Sequence, residues 1–217
     1  LDAATGEYSS IEVVFPEGMQ MEQIVPITFR PGRNSGSALV KALVVLPAEG
    51  ERGVRRGFTT LFEFSIDEGK KTITARPIVM VCSLSSGEIP RGYRFLRLGP
   101  EHGSLLDWSV VGDHIFIAVE LHEKKDLRRV EIWRVVNNRE DPQGELVCVL
   151  PNGDHRVRLS PFSPAIAFEV RDGEGVSHLA VGKIAQDAVF RNVISDVGRE
   201  GSIGGFAFVG EDRKSTR

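Results

Sequence analysis

Two tripeptides built from the same three residue types are the place to look for chemistry: Gly112-Asp113-His114 and Gly153-Asp154-His155. A carboxylate beside an imidazole can orient the ring and stabilise its charged form, which is what acid–base work requires. Two such pairs would suit an all-β enzyme or a carbohydrate-binding module drawing on Asp113, His114, Asp154 and His155. The same spelling also describes a turn aspartate ahead of a strand. We read both triplets as turns and keep His114 and His155 as binding candidates.

The other histidines, His102, His122 and His178, stand singly, and none has the paired spacing of a zinc or metalloprotease motif. There is no Gly-x-Ser-x-Gly elbow, no phosphate loop and no dinucleotide fingerprint. Gly201–Gly205 is glycine-rich, yet no strand and helix frame it as a nucleotide cradle. No catalytic residue, metal ligand or cofactor is therefore assigned.

A second candidate is the basic loop Glu49–Gly57, with Arg52, Arg55 and Arg56 beside Glu49 and Glu51. Such a loop can grip a phosphate or an acidic peptide, although mixed charge on a hairpin loop is the ordinary composition of a wet surface. Arg30–Ser37 reads as a solvated connection, since no helix follows to make it an anion nest. Trp108 and Trp133 read as core residues and not as stacking platforms.

The elements that must carry these residues are strands. Leu105–Leu150 parses as four of them. Leu105–Val111 and Ile115–Leu121 are joined by Gly112-Asp113; Val130–Val136 follows a charged connection; Leu146–Leu150 follows a polar loop. Ile115–Leu121 is apolar at almost every position and should be buried on both faces. Val130–Val136, interleaved with Arg129, Glu131 and Arg134, should have one fully buried face. Upstream, Ile11–Phe15, Ile24–Phe29 and Ala38–Leu46 read as strands, with Pro26 making the second an edge or bulged strand. Thr59–Ile66 and Thr72–Leu84 form a hairpin about Asp67–Lys71, the second arm being split at Pro77. Tyr93–Leu98 is one more short strand. Downstream, Val157–Leu159, Ile166–Val170 and Leu179–Ile184 repeat the pattern, and Phe206–Val209 reads as the innermost strand of a further unit. Placing Ile132-Trp133 over Val181-Gly182, and Ile115–Ala118 over Ala165–Phe168, gives a common offset of about 49–50 residues, in the range of propeller repeats. Only Asp187–Val197 has near-helical apolar spacing, enough for one or two turns.

Arg158–Ile184 resembles a degenerate WD-repeat blade. Ser160-Pro161 and Ser163-Pro164 match that family's turn, Asp172-Gly173 matches its hairpin, and Ile132-Trp133-Arg134 stands where the Trp-Asp dipeptide would be, with Arg replacing Asp. Gly182-Lys183 lacks the Trp. The resemblance spans about Leu105–Val209 and has the texture of the irregular propeller-like halves of fungal F-box-type proteins. It implies a scaffold that binds a protein or peptide through its loops.

Composition is that of a globular domain. The chain has 217 residues, 41% hydrophobic and 26% charged, and its net charge of −3 creates no field to attract nucleic acid or an anionic membrane. No apolar run approaches the ~20 residues of a spanning helix. Cys82 and Cys148 lie in apolar runs and read as buried free thiols, which suits a reducing intracellular compartment, cytoplasmic or nuclear. Starting at Leu1 without a leader, the chain reads as a piece of something longer. The expectation is an all-β fold of antiparallel four-stranded sheets in propeller-like repeats, an incomplete propeller if blades are missing. Residues 1–210 form one β domain of about four sheet units, parsed least clearly over 1–57, and 211–217 are a polar tail.

Overall fold

The computed structural model describes residues 12–15, 24–32, 36–45, 57–81, 96–98, 103–124, 127–136, 143–151, 156–171, 174–194 and 206–208. Among them every regular element is a β-strand. The chain divides into two compact units, residues 1–100 with 140–142, and residues 101–139 with 143–217. Three sheets are present among the described residues, one six-stranded and two four-stranded.

In the first unit, β2 (Ile24–Pro31), β3 (Ser37–Val45), β4 (Gly57–Asp67) and β5 (Thr72–Val81) form an antiparallel meander. Two short strands, β1 (Glu12–Val14) and β6 (Leu96–Leu98), pair with different stretches of β5, both in parallel. The β4–β5 hairpin forms where the sequence places it. Asp67 faces Thr72, and its Oδ1 accepts the Lys70 N–H at 3.1 Å, so the aspartate closes the turn on itself. The left-handed residue here is Lys71 (φ 53°), not Gly69.

Pro77 does not split β5 into two strands as expected. It is buried and paired with Phe62, and a register shift opposite Leu61 and Phe62 leaves Ile78 as an extra residue. A bulge absorbs the proline's missing donor, so the strand continues. Pro26 behaves as read: β2 is the end strand of the hydrogen-bonded path, with a register shift between Pro26 and Thr28.

The second unit holds two four-stranded meanders. The first runs β7 (Gly103–Val111), β8 (His114–Lys124), β9 (Leu127–Val136), β10 (Gln143–Val149), and the second β11 (Val157–Leu159), β12 (Ala165–Arg171), β13 (Ser177–Lys183), β14 (Phe190–Ile194). Ile115 through Val119 of β8 are buried at every position, hence on both faces. Phe116 and Ala118 of β8 with Val130 and Ile132 of β9 form one face. They share a core with Leu159, Ile166, Phe168 and Ala180 of the next sheet, so the two sheets pack face to face. The far face of the second sheet is covered as well, since Phe206 and Phe208 pack on Ala167, Leu179 and Val181. Residues 206–208 do so without strand structure, unlike the innermost strand expected there.

The 49–50-residue echo aligns β8 with β12 and β9 with β13, the second and third strands of their sheets. It does not hold residue by residue. Ile117 faces Trp133, whereas Ala167 faces Val181 and Ile166 faces Gly182, which is one place away from what the two offsets together require. At Gly182 a side chain is sterically barred: a Cβ there would lie 2.8 Å from the Val189 carbonyl and 2.5 Å from the Phe190 ring. Gly182, which the echo sets against Trp133, thus has no room for a larger side chain. The helical turns expected within Asp187–Val197 are replaced by strand β14. Its Val193 and Ile194, with Val189 just before it, are β-branched and stiff, and β13 offers a ladder to join.

Candidate functional site

The Gly112-Asp113-His114 triplet is a turn. Val111 faces His114 across a two-residue loop in which Gly112 has φ 58° and Asp113 does not enter the left-handed region, the pattern of a II′ hairpin turn. Asp113 is exposed. The His114 ring stands edge-to-face with Phe116, centroids 6.4 Å apart, and its Nδ1 is buried without a hydrogen-bond partner. Asp154 and His155, like Arg52, Arg55 and Arg56, lie outside the described residues, as does Cys82. Among the described residues no group of three or more His, Cys, Asp or Glu side chains could hold a metal ion. Nor, among them, is any helix long and apolar enough to cross a membrane.

Among the described residues of the second unit three carboxylates are buried, a feature that composition does not announce. Asp107 is 2% exposed, and its Oδ2 accepts the Leu159 N–H at 2.8 Å, joining the first strands of the two sheets. A register shift between Leu105 and Asp107 puts Asp107 opposite Ala118, on the face turned to the second sheet. Glu131 accepts from Arg129 Nη2 at 2.7 Å and from Trp133 Nε1 at 2.8 Å. Its partners are two residues away on either side of the same strand, hence on its own face. The face of β9 not expected to be fully buried thus has a buried carboxylate at its centre. Glu169 is also buried, with Arg156 Nε 4.0 Å away. A carboxylate removed from water needs partners of this kind to remain there at tolerable cost. These groups sit in packed interfaces with neighbours already engaged, which makes them structural.

A concave site lies elsewhere among the described residues, in the first unit, and it is apolar. A cleft of about 510 Å³ opens on one face of the first sheet. β3 and β4 supply its floor through Ala38, Val40 and Phe64; Ala38 pairs with Phe64 and Val40 with Phe62, so these share a face. One wall is Val13 and Phe15, from β1 and the residue after it. The Phe15 ring meets Phe64 edge-to-face at 6.3 Å. The opposite wall is Ile24 and Pro26 through Phe29 of β2. In the path β1-β5-β4-β3-β2 the two walls belong to the two ends of the sheet, so the sheet curls until its ends border one space. Among the described lining residues none is ionisable, and Thr28 is the one with a hydroxyl.

The strands that border the cleft expose further apolar side chains. Val14, Val25, Ile27 and Ile66 are about half exposed, and Phe29 is 76% exposed. The signal in the sequence was Ile24–Phe29, an edge strand with apolar residues at both odd and even positions, more than one covered face can use. No family model, no curated protein and no solved structure matches the chain.

Proposed function

We propose that the protein is a non-catalytic β-scaffold that binds a partner polypeptide, with the apolar cleft of the first unit as the docking site. The observation that carries this reading is the exposed apolar rim. Ile27 and Phe29 line the cleft and are still 54% and 76% exposed, so a molecule confined to about 510 Å³ would cover only their inner sides, whereas a polypeptide surface can cover cleft and wall together. The consecutive meanders of the second unit support the propeller-type part of the reading: the same strand order occurs twice, and β11 lies against β7, first strand against first strand.

Backbone NMR of the full chain tests the proposal, with a blocked leucine-rich peptide as probe. Shift changes should cluster on β1 to β4 around the cleft, and the substitution Phe29→Asp should remove them without unfolding the protein, because Phe29 is mostly in solvent. Changes confined to Asp113 and His114, or unaffected by Phe29→Asp, would move the site away from the cleft.

A further inference from the structure

We infer that the segment entering the cleft is an amphipathic helix with an uncharged face, and not a strand added to the sheet. The inference rests on the docking reading above and follows from what the cleft offers a peptide backbone. Every buried N–H and C=O needs a hydrogen-bond partner. The described lining residues supply almost none, being aliphatic and aromatic apart from the Thr28 hydroxyl. A strand could satisfy itself only by pairing with an end strand of the sheet. Of the two that border the cleft, β1 has only three residues, which leaves β2 as the edge long enough to hold it.

That edge is built against pairing. Pro26 and Pro31 have no N–H to donate, and the register shift between Pro26 and Thr28 makes Ile27 a bulge residue that interrupts the ladder. Prolines and bulges are the devices by which exposed strands avoid edge-to-edge addition. A helix needs no such edge, because its interior backbone bonds are closed within its own turns. It can present apolar side chains at i, i+3, i+4 and i+7 to a groove and keep its polar face in water. Charge points the same way: a lysine or glutamate side chain placed inside would meet no counter-charge among the described lining residues and would be desolvated without compensation there.

The test uses two blocked, dye-labelled peptides of about 14 residues, four helical turns, of identical composition. In one, leucine falls at helical spacing; in the other, leucine alternates with polar residues. Fluorescence anisotropy with the full chain should show the helical pattern binding at least about tenfold tighter. Replacing one central leucine by lysine should cost a similar factor. Equal or tighter binding of the alternating peptide, with slowed amide exchange along β2, would overturn the helix inference while leaving the docking site intact. An unchanged affinity of the lysine peptide would overturn the uncharged-face part. If neither parent peptide binds, the docking site itself is refuted and the helix inference with it.

Discussion

At Asp107 a single carboxylate oxygen holds the Leu159 N–H in a buried interface between two sheets. Replacing it by alanine leaves a buried donor unsatisfied, which costs about 1–3 kcal/mol. Asp107→Ala should therefore lower the urea midpoint clearly, and Asp107→Asn, which keeps an oxygen acceptor, should lower it less; equal losses would show that the acceptor is not what matters. Cys148 makes the second prediction at this scale. Burial pushes its thiol above the ordinary range, because the thiolate is the form that loses water. The folded protein thus holds this proton more tightly than the unfolded chain. The resulting stability is full below the unfolded value of about 8.5 and is lost as pH rises through the higher folded value. Alkylation of native Cys148, followed by mass spectrometry of its peptide, should rise with pH only above the range in which the urea-unfolded chain already reacts. Coincident profiles would contradict the shift.

Two glycines at the level of elements give different kinds of cost. Gly112 holds a left-handed φ of 58°, and a methyl group in place of its hydrogen would meet nothing within 4 Å, so Gly112→Ala should cost only the backbone penalty, about 1–2 kcal/mol. Gly182 has no positive φ, yet a Cβ there runs into the Val189 carbonyl, which cannot swing aside as a side chain can. Gly182→Ala should displace β14 and cost about 1–3 kcal/mol by overpacking. Thermal unfolding measures both. The discriminating readout is the spectrum of the Phe168–Phe190 pair, now edge-to-face at 5.0 Å: its proton shifts should move in Gly182→Ala and stay put in Gly112→Ala. Much at this level was legible in the residues. The Gly112-Asp113 hairpin, the Asp67–Lys71 turn and the edge character of β2 all follow from local rules. Pro77 and Asp187–Val197 departed from expectation for one shared reason: a neighbouring strand was there to pair with, and local pattern cannot see a partner distant in sequence.

For the whole molecule, burial orders the strands by stability. β8 lies between β7 and β9 and is covered on both faces over Ile115–Val119, whereas β2 and β14 are end strands with exposed side chains. Native-state hydrogen exchange should find the β8 amides opening only with global unfolding and the outer amides of β2 and β14 exchanging early. A uniform profile would deny this ordering. The sequence alone determined that the chain is all-β, where most strands and hairpins lie, and that its second half carries a similar strand pattern twice. Period-two apolar patterning and turn chemistry act over a few residues and are written there. Tertiary structure alone decided that Asp107, Glu131 and Glu169 are buried, that bulges re-aim Asp107 and interrupt β2, and that the first sheet curls to bring its two ends around an apolar cleft. Those outcomes depend on which strands meet and on the twist accumulated across a sheet, quantities that belong to pairs of distant segments and to no single stretch of residues.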